Sequence, residues 1–170
     1  MQYRCKSLPS SQRLEEATAL AALCRANGAP FIVNDDPGIA IAAGADGAHL
    51  GKDDGELAAA RATLAGRVLG VSCYDSLERA RAAVAAGADY IAFGSVFASP
   101  TKPAAVRAPL EIFGKARELG VPLVAIGGIT LENTPQLISA GADAVAVISD
   151  LFDAPDVRAR ARAYGKLFSP

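Results

Sequence analysis

The tetrapeptide Ala-Gly-Ala-Asp occurs three times, at 43–46, 86–89 and 140–143, each time between an alanine-rich helical pattern and an apolar run. The runs read "GAHLG", "YIAFGSVF" and "AVAVIS". A glycine just past a helix ends it in the left-handed region, and the run after it reads as a strand. Gly28, Gly66 and Gly120 play the same part before "PFIVND", "RVLGVSC" and "VPLVAIGG". With "MQYRCK" at the start, the pattern predicts seven strands, near 2–6, 30–34, 47–51, 68–73, 90–97, 122–127 and 144–149. Helical patterns separate them, as at 11–27, 76–87 and 156–167. Strands alternating with helices mean a parallel sheet, and continuous β-branched and alanine content means buried strands.

The spacing locates a site. The first two copies of the tetrapeptide are 43 residues apart and the last two 54, a surplus of 11 residues. That surplus falls between Phe97 and the helix expected near Pro109, in "FGSVFASPTKPA". The loop is an insertion placed after the C-terminal end of a strand, where barrels and open parallel sheets alike bind ligands. It carries Ser99, Thr101 and Lys102 between two prolines.

Composition narrows the function. The chain has 170 residues, 51% hydrophobic and 21% charged, enough for a single domain over 1–170 with a sizeable core. A net charge of −1 provides no global field for nucleic acid or an anionic membrane, so anions must be held by a few local cations. No stretch approaches the ~20 apolar residues of a membrane span. Cys5, Cys24 and Cys73 are odd in number and follow no metal-ligand spacing, which fits a reducing cytoplasm.

Polar residues gather at predicted strand ends. In "MQYRCK" Gln2, Arg4 and Lys6 share one face, and Tyr3 and Cys5 the other. The next two strands end "IVNDDP" and "HLGKDD", so carboxylates from neighbouring strands can converge on one magnesium ion. Asp36 and Asp53 or Asp54 can equally serve as helix caps. His49, the single histidine, lies inside a strand and reads as a packed or structural residue. The reaction should therefore depend on charge stabilisation more than on proton shuttling. Gly127 and Gly128 in "VAIGGIT" would let a ligand approach backbone amides, and Ser149 ends "VAVIS". Together with the Ser99–Thr101–Lys102 loop they point to phosphate.

The ordered series "QYRCK", "FIVNDD", "HLGKDD", "GVSCYD", "FGSVFASPTK", "AIGGIT" and "VAVIS" closely resembles thiamine-phosphate synthase over essentially the whole chain. The resemblance implies a TIM (β/α)8 barrel. It also implies transfer of a hydroxymethylpyrimidine from its diphosphate to hydroxyethylthiazole phosphate, with magnesium and release of pyrophosphate. Its implied partners are small phosphorylated substrates, with neither nucleic acid nor membrane. It assigns the diphosphate to Arg4, Lys6 and Asn34, the pyrimidine side to Gln2, and the magnesium ion to Asp35 and Asp54. Ser72 matches a serine near the reacting pyrimidine, and Lys102 a lysine facing the leaving diphosphate. Ser99 and Thr101 match a hydroxyl pair around the thiazole phosphate. Gly128, Ile148 and Ser149 match its backbone and hydroxyl contacts.

Three departures stand out. Ala98 and Ser99 occupy places where the family usually has Pro-Thr, although Ser99 keeps a hydroxyl. Tyr74 stands where many relatives, including thiazole tautomerase paralogues, carry histidine, which argues for the synthase over a tautomerase. A non-catalytic binder of thiamine phosphates, or an inactive truncated remnant, is the alternative outside enzymes. The retained cations and aspartates argue against it. Last, the family has a strand and helix before "QYR". The chain is therefore expected to carry seven of the eight barrel strands and to expose two strand edges, leaving the fold unstable.

Overall fold

A computed structural model describes residues 1–98 and 107–168. Its residues form two compact units, Met1–Ser72 with Ala82–Asp89, and Cys73–Arg81 with Tyr90–Pro170.

The first unit holds β1 (Gln2–Tyr3), α1 (Ser10–Ala26), β2 (Ile32–Asn34), α2 (Pro37–Ala42), β3 (Gly47–Leu50), α3 (Leu57–Leu64) and most of β4 (Val68–Tyr74). Helix α1 buries Ala17, Ala21 and Cys24, spaced to form one stripe of a 3.6-residue repeat. Helix α2 begins where its sequence dictates. Pro37 sits in the first turn, and the Asp36 carboxylate accepts the Ile39 amide at 3.0 Å. The strands pair in parallel, with Gln2 opposite Ile32, Asn34 opposite His49, and Leu50 opposite Val71. Phe31, Val33, Leu50, Leu69 and Val71 are buried in the core of this unit.

The second unit holds β5 (Tyr90–Phe93), α5 (Glu111–Ala116) and its 3-10 extension Arg117–Leu119, β6 (Leu123–Ile126), α6 (Thr134–Ala140), β7 (Ala144–Ala146), α7 (Ser149–Phe152) and α8 (Val157–Leu167). Helix α4 (Leu77–Ala85) divides between the units at Arg81. Here too pairing is parallel, with Phe93 opposite Ala125 and Ile126 opposite Ala146. The rings of Phe93 and Phe113 meet edge to face, 5.6 Å between centroids.

The repeated tetrapeptide does more than cap helices. Gly44, Gly87 and Gly141 all have positive φ, and Gly141 ends α6. The aspartate after each reaches the start of a neighbouring strand: Asp46 accepts the Phe31 amide at 2.7 Å, Asp89 that of Leu69 at 2.7 Å, and Asp143 that of Leu123 at 2.9 Å. The backbone returns the contact, since the amides of Asp46, Asp89 and Asp143 donate to the carbonyls of those same residues at 2.8 Å. Each copy is a staple at the N-terminal end of a strand.

All seven predicted strands are present, but three of them end three or four residues before the predicted bound. β1 ends at Tyr3 instead of residue 6, because β2 ends at Asn34 and Asp35 turns into the left-handed region (φ 70°). β5 ends at Phe93 rather than 97. Val96 and Phe97 still donate to Ile126 and Gly127 at 3.0 and 3.1 Å, but Gly127 and Gly128 at positive φ turn the opposite chain away. β7 ends at Ala146 rather than 149, because the Ile148 carbonyl is taken by the amides of Leu151 and Phe152, which start α7.

Candidate active site

In the first unit the C-terminal ends of β1, β2 and β3 carry a connected polar chain. Gln2 Nε2 donates to Asn34 Oδ1, and Asn34 Nδ2 donates to Asp35 Oδ1. Lys6 Nζ lies 3.2 Å from Asp35 Oδ2. The Asp54 carboxyl is close enough to share a hydrogen bond with that of Asp35, and it also accepts the Gly51 amide at 2.7 Å. The alternation read from "MQYRCK" holds through β1: Gln2 faces the site, and the Tyr3 hydroxyl points to α1 and donates to Glu16 at 2.6 Å. Lys6 lies past the end of β1 and reaches Asp35 from the bend that follows. Arg4 is exposed at the same edge.

Two carboxylates this close are unfavourable without a cation. Burial and the neighbouring Asp54 push the Asp35 carboxyl above its ordinary range, and Lys6 pulls it back down. The left-handed backbone at Asp35 is held from both sides. Its amide donates to the His49 carbonyl at 2.8 Å, and the next residue caps α2. Asp36 is thus a cap, further fastened by Arg13 at 3.4 Å, while Asp35 is the carboxylate that faces Lys6.

Ser72, near the end of β4, is buried, and its Oγ lies 2.8 Å from Nε2 of His49. Burial lowers the His49 pKa to about 4 against a smaller pull from Asp54, so the ring is neutral at pH 7. It occupies the packed position that its place in a strand suggested.

The second unit carries the remaining candidates. Gly128 follows β6, and its carbonyl accepts Asn133 Nδ2 at 3.0 Å in a turn closed by Thr130. The space a Cβ would take at Gly127 is filled by Ser95, and at Gly128 by the backbone of Phe97 and Ala98. A close approach that calls for these glycines is made by the chain itself. Ile148 and Ser149 are exposed at the start of α7. Ser99, Thr101 and Lys102 lie outside the described residues.

The family model for thiamine monophosphate synthase matches residues 1–151. The chain belongs to that family. The thiamine-phosphate synthase of Aromatoleum aromaticum is 61% identical over 99% of this chain and 82% of that protein. The one from Chromobacterium violaceum is 57% identical over 99% and 82%. Among solved structures, the thiamine phosphate pyrophosphorylase from Pyrococcus furiosus superposes with a TM-score of 0.88 at 36% identity, covering 98% of this chain and 81% of that one. A 3-hexulose-6-phosphate synthase from Salmonella typhimurium, with a TM-score of 0.67 at 21% identity, shares the fold alone. Family membership makes the chain a transferase of thiamine biosynthesis with the TIM-barrel class of α/β fold, and seven of its strands are described.

Sequence reasoning placed Lys6 on the diphosphate and Asp35 on the cation, and missed that the two pair directly. It also missed Arg13, whose only sequence signal is its place on the first helix facing the "NDD" turn. Among the described residues, no helix is long and apolar enough to cross a membrane.

Proposed function

We propose that this chain joins hydroxymethylpyrimidine diphosphate to hydroxyethylthiazole phosphate and releases pyrophosphate. The observation that carries the residue assignment is the chain of contacts from Gln2 through Asn34 to Asp35, with Lys6 and Asp54 on the same carboxylate. Among the described residues no three His, Cys, Asp or Glu side chains converge to enclose a metal. Magnesium fits nonetheless, because it binds through one or two carboxylates and keeps water and phosphate oxygens for the rest of its shell.

Asp35 and Asp54 would hold the cation, whose chemistry is to neutralise charge on the leaving diphosphate. Lys6 and Arg4 bind the diphosphate oxygens, with Asn34 and Gln2 orienting the group and the ring beside it. Ser72, oriented by His49, meets the pyrimidine. The bond between the pyrimidine methylene and the diphosphate oxygen breaks, and its electron pair leaves with the pyrophosphate. The amino-pyrimidine ring stabilises the cation that remains. The thiazole nitrogen then supplies the pair for the new carbon–nitrogen bond, and no proton has to move to a base. The neutral, buried His49 fits such a reaction. Gly128, Ile148, Ser149, Ser99 and Thr101 hold the thiazole phosphate, and Lys102 faces the departing charge.

A coupled assay tests this reading. Pyrophosphate should appear only with both substrates and magnesium present. Lys102→Ala should lower kcat by an amount equivalent to about 2–4 kcal/mol, as expected for loss of one preorganised donor. Isomerisation of a thiazole phosphate without pyrophosphate release would favour the tautomerase instead, and tight product binding without turnover the binder.

A further inference from the structure

Helix α7 has four residues, Ser149–Phe152, and none of them is buried. A helix this short does not sustain itself, since nucleation costs more than one turn of hydrogen bonds returns. Apolar packing does little to hold it, because Ile148 is 74% exposed and Phe152 53% exposed. What ties α7 down is Asp150. Its carboxylate accepts the Tyr164 hydroxyl at 2.6 Å and lies 3.2 Å from an Arg160 guanidinium nitrogen, with both partners on α8. Arg160 also lies 3.9 Å from Glu132, in the turn after Gly128. Tyr164 is buried, and burial together with the Asp150 carboxylate keeps its hydroxyl protonated and donating.

The charge arrangement matters as much as the anchor. Asp150 is the next residue after Ser149, and a bare carboxylate there would repel an incoming phosphate. Tyr164 and Arg160 occupy that carboxylate and leave it only 18% exposed. Both lie beyond residue 151, where the family match ends.

We propose that Asp150, Tyr164 and Arg160 are positioning residues for the thiazole phosphate: they fix α7 so that Ser149 and the backbone at Ile148 meet the phosphate, and they turn the Asp150 charge away from it. This rests on the reading of Ser149 as a phosphate contact. A network that serves this site alone should affect one substrate only, and that would separate it from a general structural role.

The test measures KM for each substrate and kcat in Tyr164→Phe, which keeps the ring and removes one hydrogen bond, and in Asp150→Asn, which keeps the shape and removes the charge. Ser149→Ala is the control for the underlying reading. The expected result is a rise of about tenfold in KM for the thiazole phosphate in both network variants, with KM for the pyrimidine diphosphate and kcat unchanged. If Ser149→Ala leaves the thiazole KM unchanged, the reading of Ser149 is wrong and the proposal falls with it. If Ser149→Ala raises that KM and the network variants do not, the proposal alone is wrong. Equal rises for both substrates, or loss of fold in both network variants, would likewise overturn it, since the network would then serve the fold at large.

Discussion

His49 Nε2 lies 2.8 Å from Ser72 Oγ, and that contact joins the neighbouring strands β3 and β4. The histidine is only 6% exposed, and burial lowers its pKa from 6.5 to about 4. Protonation therefore favours the unfolded chain. The stability tied to the neutral ring is fully present above pH 6.5 and is lost as pH falls toward 4. Between pH 7.5 and pH 5 the linkage comes to about 2 kcal/mol. Urea unfolding of the metal-free protein and of His49→Gln at both pH values isolates it, because glutamine can keep the bond to Ser72 but does not titrate. The variant should lose about 2 kcal/mol less than the parent on acidification; equal losses would show that the ring titrates normally in the fold.

The Asp35–Asp54 pair predicts opposite effects with and without metal. Asp54→Asn keeps an oxygen for the Gly51 amide and removes one of two neighbouring like charges. In a chelator the variant should melt higher than the parent, by the equivalent of about 1 kcal/mol. Magnesium with pyrophosphate should then raise the melting temperature of the parent and barely move the variant. A variant that melts lower in chelator would mean that the carboxylates do not repel.

The repeated aspartates should matter for stability and not for chemistry. Asp89 accepts the Leu69 amide and pairs with Arg61 at 2.9 Å, at the end of the strand away from Ser72. Asp89→Ala leaves the partly buried amide without its side-chain acceptor and should cost about 1–3 kcal/mol by urea unfolding. Both KM values and kcat should stay within twofold below the transition. A lost activity in folded protein would mean that this end of the strand contributes to the site.

The sequence made the glycines of the repeat legible because a left-handed cap after an alanine-rich helix has few alternatives. It did not make the aspartates legible, although the signal was there: the same residue stands at the same offset before three different strands. Read as surface charge, Asp46, Asp89 and Asp143 carry no meaning until each strand has a neighbour whose first amide needs an acceptor. The opposite directions of Gln2 and Tyr3 were legible because strand alternation fixes direction locally, and the two aspartate motifs because each directly follows an apolar run. The pairing of Asp35 with Lys6 was not, because it depends on Asp35 adopting a φ of 70°, a conformation that nothing in "IVNDDP" demands. Strand ends failed for a related reason. The apolar runs at 90–97 and 144–149 continue past the point where the partner turns away, and hydrophobicity alone does not mark where a ladder stops.

Gly127 and Gly128 give the last prediction, since they distinguish a glycine needed by the fold from one that is merely tolerated. Gly128 has φ 66°, and the Cβ of an alanine there would run into the carbonyl of Ala98 and the backbone of Phe97. Two costs therefore combine: the left-handed conformation of a non-glycine residue, about 1 kcal/mol, and a clash with backbone that has no rotamer to escape into. Gly128→Ala should lose about 2 kcal/mol or more in urea unfolding. It should also raise the KM for the thiazole phosphate, because Gly128 and the 95–98 segment would have to separate. Gly114 is the internal control. It lies within α5 at no positive φ, and the Cβ of an alanine there would meet nothing within 4 Å, so Gly114→Ala should stabilise the helix by about 0.5–1 kcal/mol. If Gly128→Ala were as stable as the parent while Gly114→Ala gained stability as expected, the packing of residues 95–98 against the Gly-Gly turn would not be what requires a glycine at 128.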